Sequence, residues 1–135
     1  MSKLLCEYFT RLYKKNINFL NENATEQLPI GQVLCLHEIY NNEGLIQEKL
    51  ATELLVDKGT IARCIQKMID KDLIYRERSL TDKRAYGIYL TKKGKEECAK
   101  IFLTLTELEN KMSENLTDIE KIALLHLLEK VYSYS

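Results

Sequence analysis

Lys58, Thr60, Arg63 and Lys67 lie within a stretch, 58–71, whose apolar residues Ile61, Ile65, Met68 and Ile69 recur at helical spacing. A helix that buries those four turns its cations and its hydroxyl the other way. A guanidinium fork matches phosphate or the major-groove edge of guanine, an ammonium supplies a point charge, and a hydroxyl both donates and accepts. Asp82, Lys83 and Arg84 form a second polar group between two β-prone runs, about 73–78 and 86–90. Arg84 at such a tip is planar and permanently charged, so it suits a narrow, negative minor groove, with Asp82 pairing it or shaping the turn. Thr60 and Arg63 are expected at base edges. Lys58, Lys67, Arg76, Arg78 and Lys83 are expected at phosphates, with Gln47 a further phosphate candidate at the start of the preceding helix. Lys71 reads as plain surface.

The charge balance bears on this in two ways. The chain carries 20 Lys+Arg and 20 Asp+Glu and is formally neutral, whereas a nucleic-acid binder is usually basic. Residues 57–84, however, hold eight Lys/Arg against five Asp/Glu. That local bias suits a protein that meets phosphate with one face and something else with another. The neutral total leaves open an alternative, a winged-helix protein-interaction module that does not bind DNA.

Other chemistries find little support. Cys6, Cys35, Cys64 and Cys98 stand singly, with no C-x-x-C, and Cys35-x-His37 is too short to hold a metal, so neither metal nor cofactor is expected. There is no Gly-rich phosphate loop, no HExxH and no nucleophile with a base at recognisable spacing, so an enzyme is not expected. His37 and His126 read as core or core-edge residues. Tyr8, Tyr13 and Tyr40 read as half-buried core, with a pocket for a small aromatic ligand as the other possibility.

The elements that must position the polar groups follow from periodicity. The 135 residues make one domain, and 45% hydrophobic with 30% charged residues suits a soluble globular chain. One Pro and 5 Gly are too few for an all-β sandwich and favour helices. No apolar run approaches the roughly 18 residues of a membrane span, and no secretory signal is read, so a cytoplasmic protein with reduced thiols is expected. Leu5, Phe9, Leu12, Ile17 and Leu20 mark a first amphipathic helix over 4–20. Pro29 suits the first turn of a second, which runs to about Tyr40 with Val33, Leu36, His37 and Tyr40 on one side. Residues 45–56 read as a short helix with Leu50, Ala51 and Leu54 inward, and Asp57 as the N-cap of the next. The two β-prone runs make a hairpin in which Tyr86, Ile88 and Leu90 share a face. Thr91 caps a long helix. Thr117 and Glu120 form a capping box for a last helix to about Tyr132, apolar over more than one stripe and so expected to bury two faces.

The ordered set resembles the MarR (multiple antibiotic resistance regulator) family. Leu50–Ala51 is similar to the Leu-Ala of the first helix of the pair, and residues 56–74 to the recognition helix and its turn. Asp82–Lys83–Arg84 is similar to the family's Asp-x-Arg wing. Leu90–Thr91–Lys92–Lys93–Gly94 matches its Leu-Thr-x-x-Gly. Asp72 stands where members often carry Gly, and Asp tolerates a left-handed backbone. The resemblance implies a mainly α fold with a small antiparallel wing: six helices and two or three strands. It implies a winged helix-turn-helix lobe over 30–91, with 1–28 and 92–135 forming dimerisation helices. It implies a homodimer on a pseudo-palindromic operator in double-stranded DNA, acting as a transcription regulator, repressor in the first instance, modulated by a small ligand or by oxidation. The segment 4–13 also resembles the start of the peroxide-sensing members, which makes Cys6 a candidate redox sensor. Glu7 departs from that subgroup, and the plainer reading of Cys6 is a small apolar residue packed at the dimer base.

Overall fold

In a computed structural model, residues 4–23, 28–78 and 85–134 are described. They form α1 (Leu5–Asn23), α2 (Ile30–Asn41), β1 (Leu45–Ile46), α3 (Gln47–Leu54), α4 (Lys58–Asp70), β2 (Ile74–Arg78), β3 (Tyr86–Leu90), α5 (Lys92–Ser113) and α6 (Asp118–Tyr132). The expected mainly α fold with a small wing is what forms.

The core lies among α2, α3, α4 and the sheet. Leu36, Ile39, Leu50, Ile61, Ile65, Met68, Leu73, Ile74 and Ile88 are its largest fully buried side chains. The expected stripe of α4 therefore holds, with Ile69 packed at its margin. In α2 the buried face is turned slightly from the expected one. Cys35 and Ile39 are inside, and Tyr40 is exposed. Pro29 caps α2 from just outside the helix.

Leu45 and Ile46 depart from the expected helix. Gly44 takes a φ of 92° and turns the chain, so these two residues pair as a strand with Ile88 and Gly87 before α3 begins. Gly87 permits that pairing, because a Cβ there would lie 2.8 Å from the Gly44 carbonyl oxygen. The sheet order is β1-β3-β2, with Ile74 opposite Leu90 and Arg78 opposite Tyr86.

The sheet joins α5 through a compact junction. Asp72, at φ 60°, takes the left-handed turn that its residue type tolerates. Thr91 Oγ1 donates to the Asp72 carbonyl at 2.6 Å and accepts the Gly94 N–H at 2.9 Å. Thr91 thus caps α5 as expected and ties it to the turn after α4. Thr117 and Glu120 form the expected capping box on α6.

Burial in α1 and α6 differs from expectation. Neither helix buries a residue within one chain. Leu5, Phe9 and Leu12 are exposed on α1, as are Ile119, Ile122 and Leu125 on α6. His126, expected in or near the core, is also exposed.

The α5 junction generates a prediction. A Cβ at Gly94 would collide with the Leu73 carbonyl oxygen. Helix propensity favours Ala over Gly by about 1 kcal/mol, but relieving overlap with backbone means moving α5 off the lobe. Gly94→Ala is expected to destabilise by about 1–3 kcal/mol, seen as a lower urea midpoint at unchanged slope. An unchanged or higher midpoint contradicts the packing.

Candidate functional site

A three-residue turn, Leu55 to Asp57, separates α3 from α4, the connection length of a helix-turn-helix. Leu55 closes α3 in the left-handed region at φ 56°. Asp57 then starts α4. Its Oδ1 accepts the Thr60 N–H at 2.7 Å and its Oδ2 accepts the Thr60 hydroxyl at 2.8 Å. The hydroxyl accepts in turn from Arg63 Nη2 at 3.3 Å. The Thr60 backbone N–H first, its hydroxyl next and the Arg63 charge more weakly hold the Asp57 carboxyl below its ordinary value. Arg63 therefore leans back along the helix over Gly59, toward the N-terminal end of α4.

With Ile61, Ile65 and Met68 locked inward, Lys58, Thr60, Arg63 and Lys67 are all exposed. Thr60, Arg63 and Lys67 follow one another at i, i+3 and i+7, a single stripe along the helix. The four side chains singled out from the sequence thus share the outer surface of one helix.

The second group lies on the sheet. Arg76 and Arg78 sit two residues apart on β2, so they project from the same side of the strand. Arg76 Nη2 donates to Gln47 Oε1 at 3.1 Å, which binds the wing to the first turn of α3. Arg78 lies 5.6 Å over the Tyr86 ring and donates to its hydroxyl at 3.4 Å. That contact lowers the Tyr86 phenol below its ordinary value and raises Arg78. Asp82, Lys83 and Arg84 lie outside the described residues.

Three features escaped sequence reasoning. Tyr86 is the cross-strand partner of Arg78, a pairing set by hairpin register, which the polar connection between the strands conceals. Asp57 braces Arg63 as well as capping α4, and the D-x-x-T-x-x-R spacing was the available signal. Lys71 is no idle surface group: its Nζ donates to buried Gln32 Oε1 at 2.8 Å. Cys6 is exposed on α1, and among the described residues no His/Cys/Asp/Glu group has the makings of a metal site.

Comparison with known proteins agrees with this geometry. The MarR family model matches residues 28–86. A Bacillus subtilis protein named as the organic hydroperoxide resistance transcriptional regulator is 32% identical over 126 residues, spanning 91% of this chain and 81% of that protein. A Thauera aromatica protein whose name ties it to transcriptional regulation of the hcr operon is 33% identical over 109 residues. That match spans 81% of this chain and 66% of the relative, just under two thirds of its length. Among solved structures, a cysteine-to-serine variant of E. coli MarR complexed with operator DNA superposes with a TM-score of 0.81 at 26% identity, covering 94% of this chain and 92% of that one.

The Asp57 brace predicts a pH signature. A carboxyl with a depressed folded pKa contributes stability above its unfolded pKa and loses it as pH falls through the folded value. Asp57→Ala is therefore expected to show its full deficit in unfolding midpoint at neutral pH. The deficit should narrow as pH drops below the ordinary value of 3.8. A deficit that stays constant into strong acid rules out the ionised brace.

Proposed function

This chain belongs to the MarR family, and from that premise we propose that it is a transcription regulator that binds duplex DNA as a homodimer, with α4 as recognition helix and the β2–β3 hairpin as wing. The observation that carries the reading is the exposed Thr60–Arg63–Lys67 stripe on a helix whose opposite face is buried, in a chain whose sheet exposes Arg76 and Arg78 as well. The major groove of B-DNA admits one helix, and the N-terminal residues of a recognition helix meet the base edges. Thr60 and Arg63 occupy that end of α4. Lys58 and Lys67, with Arg76 and Arg78, are exposed cations that we assign to phosphates. Gln47 steadies Arg76 and presents its own amide beside it. We assign Asp82, Lys83 and Arg84, which lie between β2 and β3 in the sequence, to the neighbouring minor groove on their chemistry alone.

The homodimer is supported by the apolar faces that α1 and α6 leave open. Leu5, Phe9 and Leu12 on α1, together with Ile122 and Leu125 on α6, form more apolar surface than a lone subunit usually shows to water. A second copy covers both faces with one two-fold axis. It also supplies the second recognition helix that a pseudo-palindromic operator requires, at a separation of about 34 Å, one DNA turn. An effector that changes that separation prevents both helices from docking at once.

Titrating a labelled operator duplex at several salt concentrations tests the reading. The affinity should fall with salt with a log–log slope of about −0.9 per phosphate neutralised. Lys67→Ala should flatten that slope by about one unit without changing sequence preference, whereas Arg63→Ala should erase preference at one base pair. Arg84→Ala should weaken binding and leave the fold intact. Binding that ignores salt, or an Arg63→Ala protein with the parent's preference, would overturn the assignment.

A further inference from the structure

Two sulfur atoms that duplex binding does not use lie against each other beneath the recognition helix. Cys35 Sγ of α2 and Cys64 Sγ of α4 are 3.3 Å apart, and both thiols are free. Cys35 is buried, and Cys64 is half-buried between exposed Arg63 and buried Ile65. A disulfide holds its sulfurs at about 2.05 Å, so this pair must close by only about 1.2 Å.

The two thiols are also unequal. The hydrogen bond with Cys35 lowers the Cys64 thiol below its ordinary value, and the ammonium groups of Lys67 and Lys71 lower it further against the opposing effect of burial. Lys71 is held in place by its bond to Gln32. Cys35 is pushed up by the same sulfur contact and by burial. Cys64 is thus the nucleophile, partly open to solvent, and Cys35 the resolving thiol behind it.

We infer that Cys64 and Cys35 form a reversible disulfide in response to peroxide, and that this bond weakens duplex binding; the second half rests on the reading of α4 as recognition helix. In the first step the Cys64 thiolate attacks one peroxide oxygen. The O–O bond breaks, the other oxygen leaves and takes up a proton, and Cys64 becomes a sulfenic acid. The Cys35 sulfur then attacks the Cys64 sulfur and gives up its proton. The S–S bond forms, the S–O bond breaks and the oxygen leaves as water. The two thiols together lose two electrons, and the peroxide gains them.

The consequence for DNA follows from packing. Ile61, Ile65 and Met68 fill the core side of α4 at no more than 1% exposure, so a pull at Cys64 is passed to the helix instead of being absorbed by empty space. Arg63 adjoins Cys64 in sequence, and Lys67 lies one turn on. A shift that costs one base contact per half-site weakens binding by at least about tenfold.

The test uses the full chain carrying Cys6→Ser, so that the exposed thiol on α1 contributes nothing. Hydrogen peroxide is added at neutral pH, remaining thiols are alkylated, and peptides are mapped in parallel with duplex titration. Expected are a linked Cys35–Cys64 peptide pair that dithiothreitol separates, and an affinity loss of at least about tenfold that the same reductant restores. Cys35→Ser and Cys64→Ser proteins should keep their affinity in peroxide. Free thiols at both positions after treatment overturn the proposal, as does a linked pair with unchanged affinity. If the reduced protein ignores duplexes altogether, the DNA-binding reading falls on its own, and the peptide map still decides the sulfur chemistry.

Discussion

Burial of Ile61, Ile65 and Met68 on one side of α4 is the constraint from which the rest of the molecule follows. A 13-residue helix with three side chains sealed in the core has no rotational freedom left about its own axis. Its polar side chains face outward because the apolar ones cannot leave. Dispersion and hydrophobic burial thereby fix the direction of Thr60, Arg63 and Lys67, which share few tertiary contacts of their own. The Asp57–Thr60–Arg63 hydrogen bonds then refine what packing has set. They draw the guanidinium toward the N-terminal end of the helix.

The same helix is tied to α5 through its C-terminal turn. Asp72 takes the left-handed conformation, Leu73 offers its carbonyl to the Thr91 N–H, and Gly94 lets the first turn of α5 come against that carbonyl. The Thr91 hydroxyl bonds on both sides of the joint. A displacement of α5 is consequently delivered to the residues that end α4, with little slack between them. Lys93 Nζ, donating to the Lys71 carbonyl at 3.0 Å, adds a further link across the joint. On the far side, the Cys35–Cys64 contact connects α4 to α2. α4 is thus held at one end by the junction with α5 and near its middle by a pair of sulfurs.

Local signals in the sequence carried most of the fold. Asp57, Thr91 and Thr117 each announced a helix start because an N-cap needs only a side-chain oxygen and a free N–H three residues on. The α4 stripe was legible because burial repeats with the helical period. What stayed hidden depends on residues distant in the chain. The strand at Leu45–Ile46 exists because Gly44 turns and Gly87 leaves room, and nothing within 45–56 reveals that. Arg76 found Gln47 and Arg78 found Tyr86 through sheet register. Cys35 and Cys64, read singly for lack of a C-x-x-C, come together only because two helices cross. The apolar stripes of α1 and α6 were legible as stripes, but within a single chain neither helix buries a residue fully.

The central claim is that two such helices are presented together at the pitch of DNA. Hydroxyl-radical footprinting of the protein on a selected operator duplex measures this most directly. The account predicts two protected patches on one face of the duplex, with centres about 10 base pairs apart and equal occupancy at every protein concentration. A single protected patch, or two that fill independently, would contradict it.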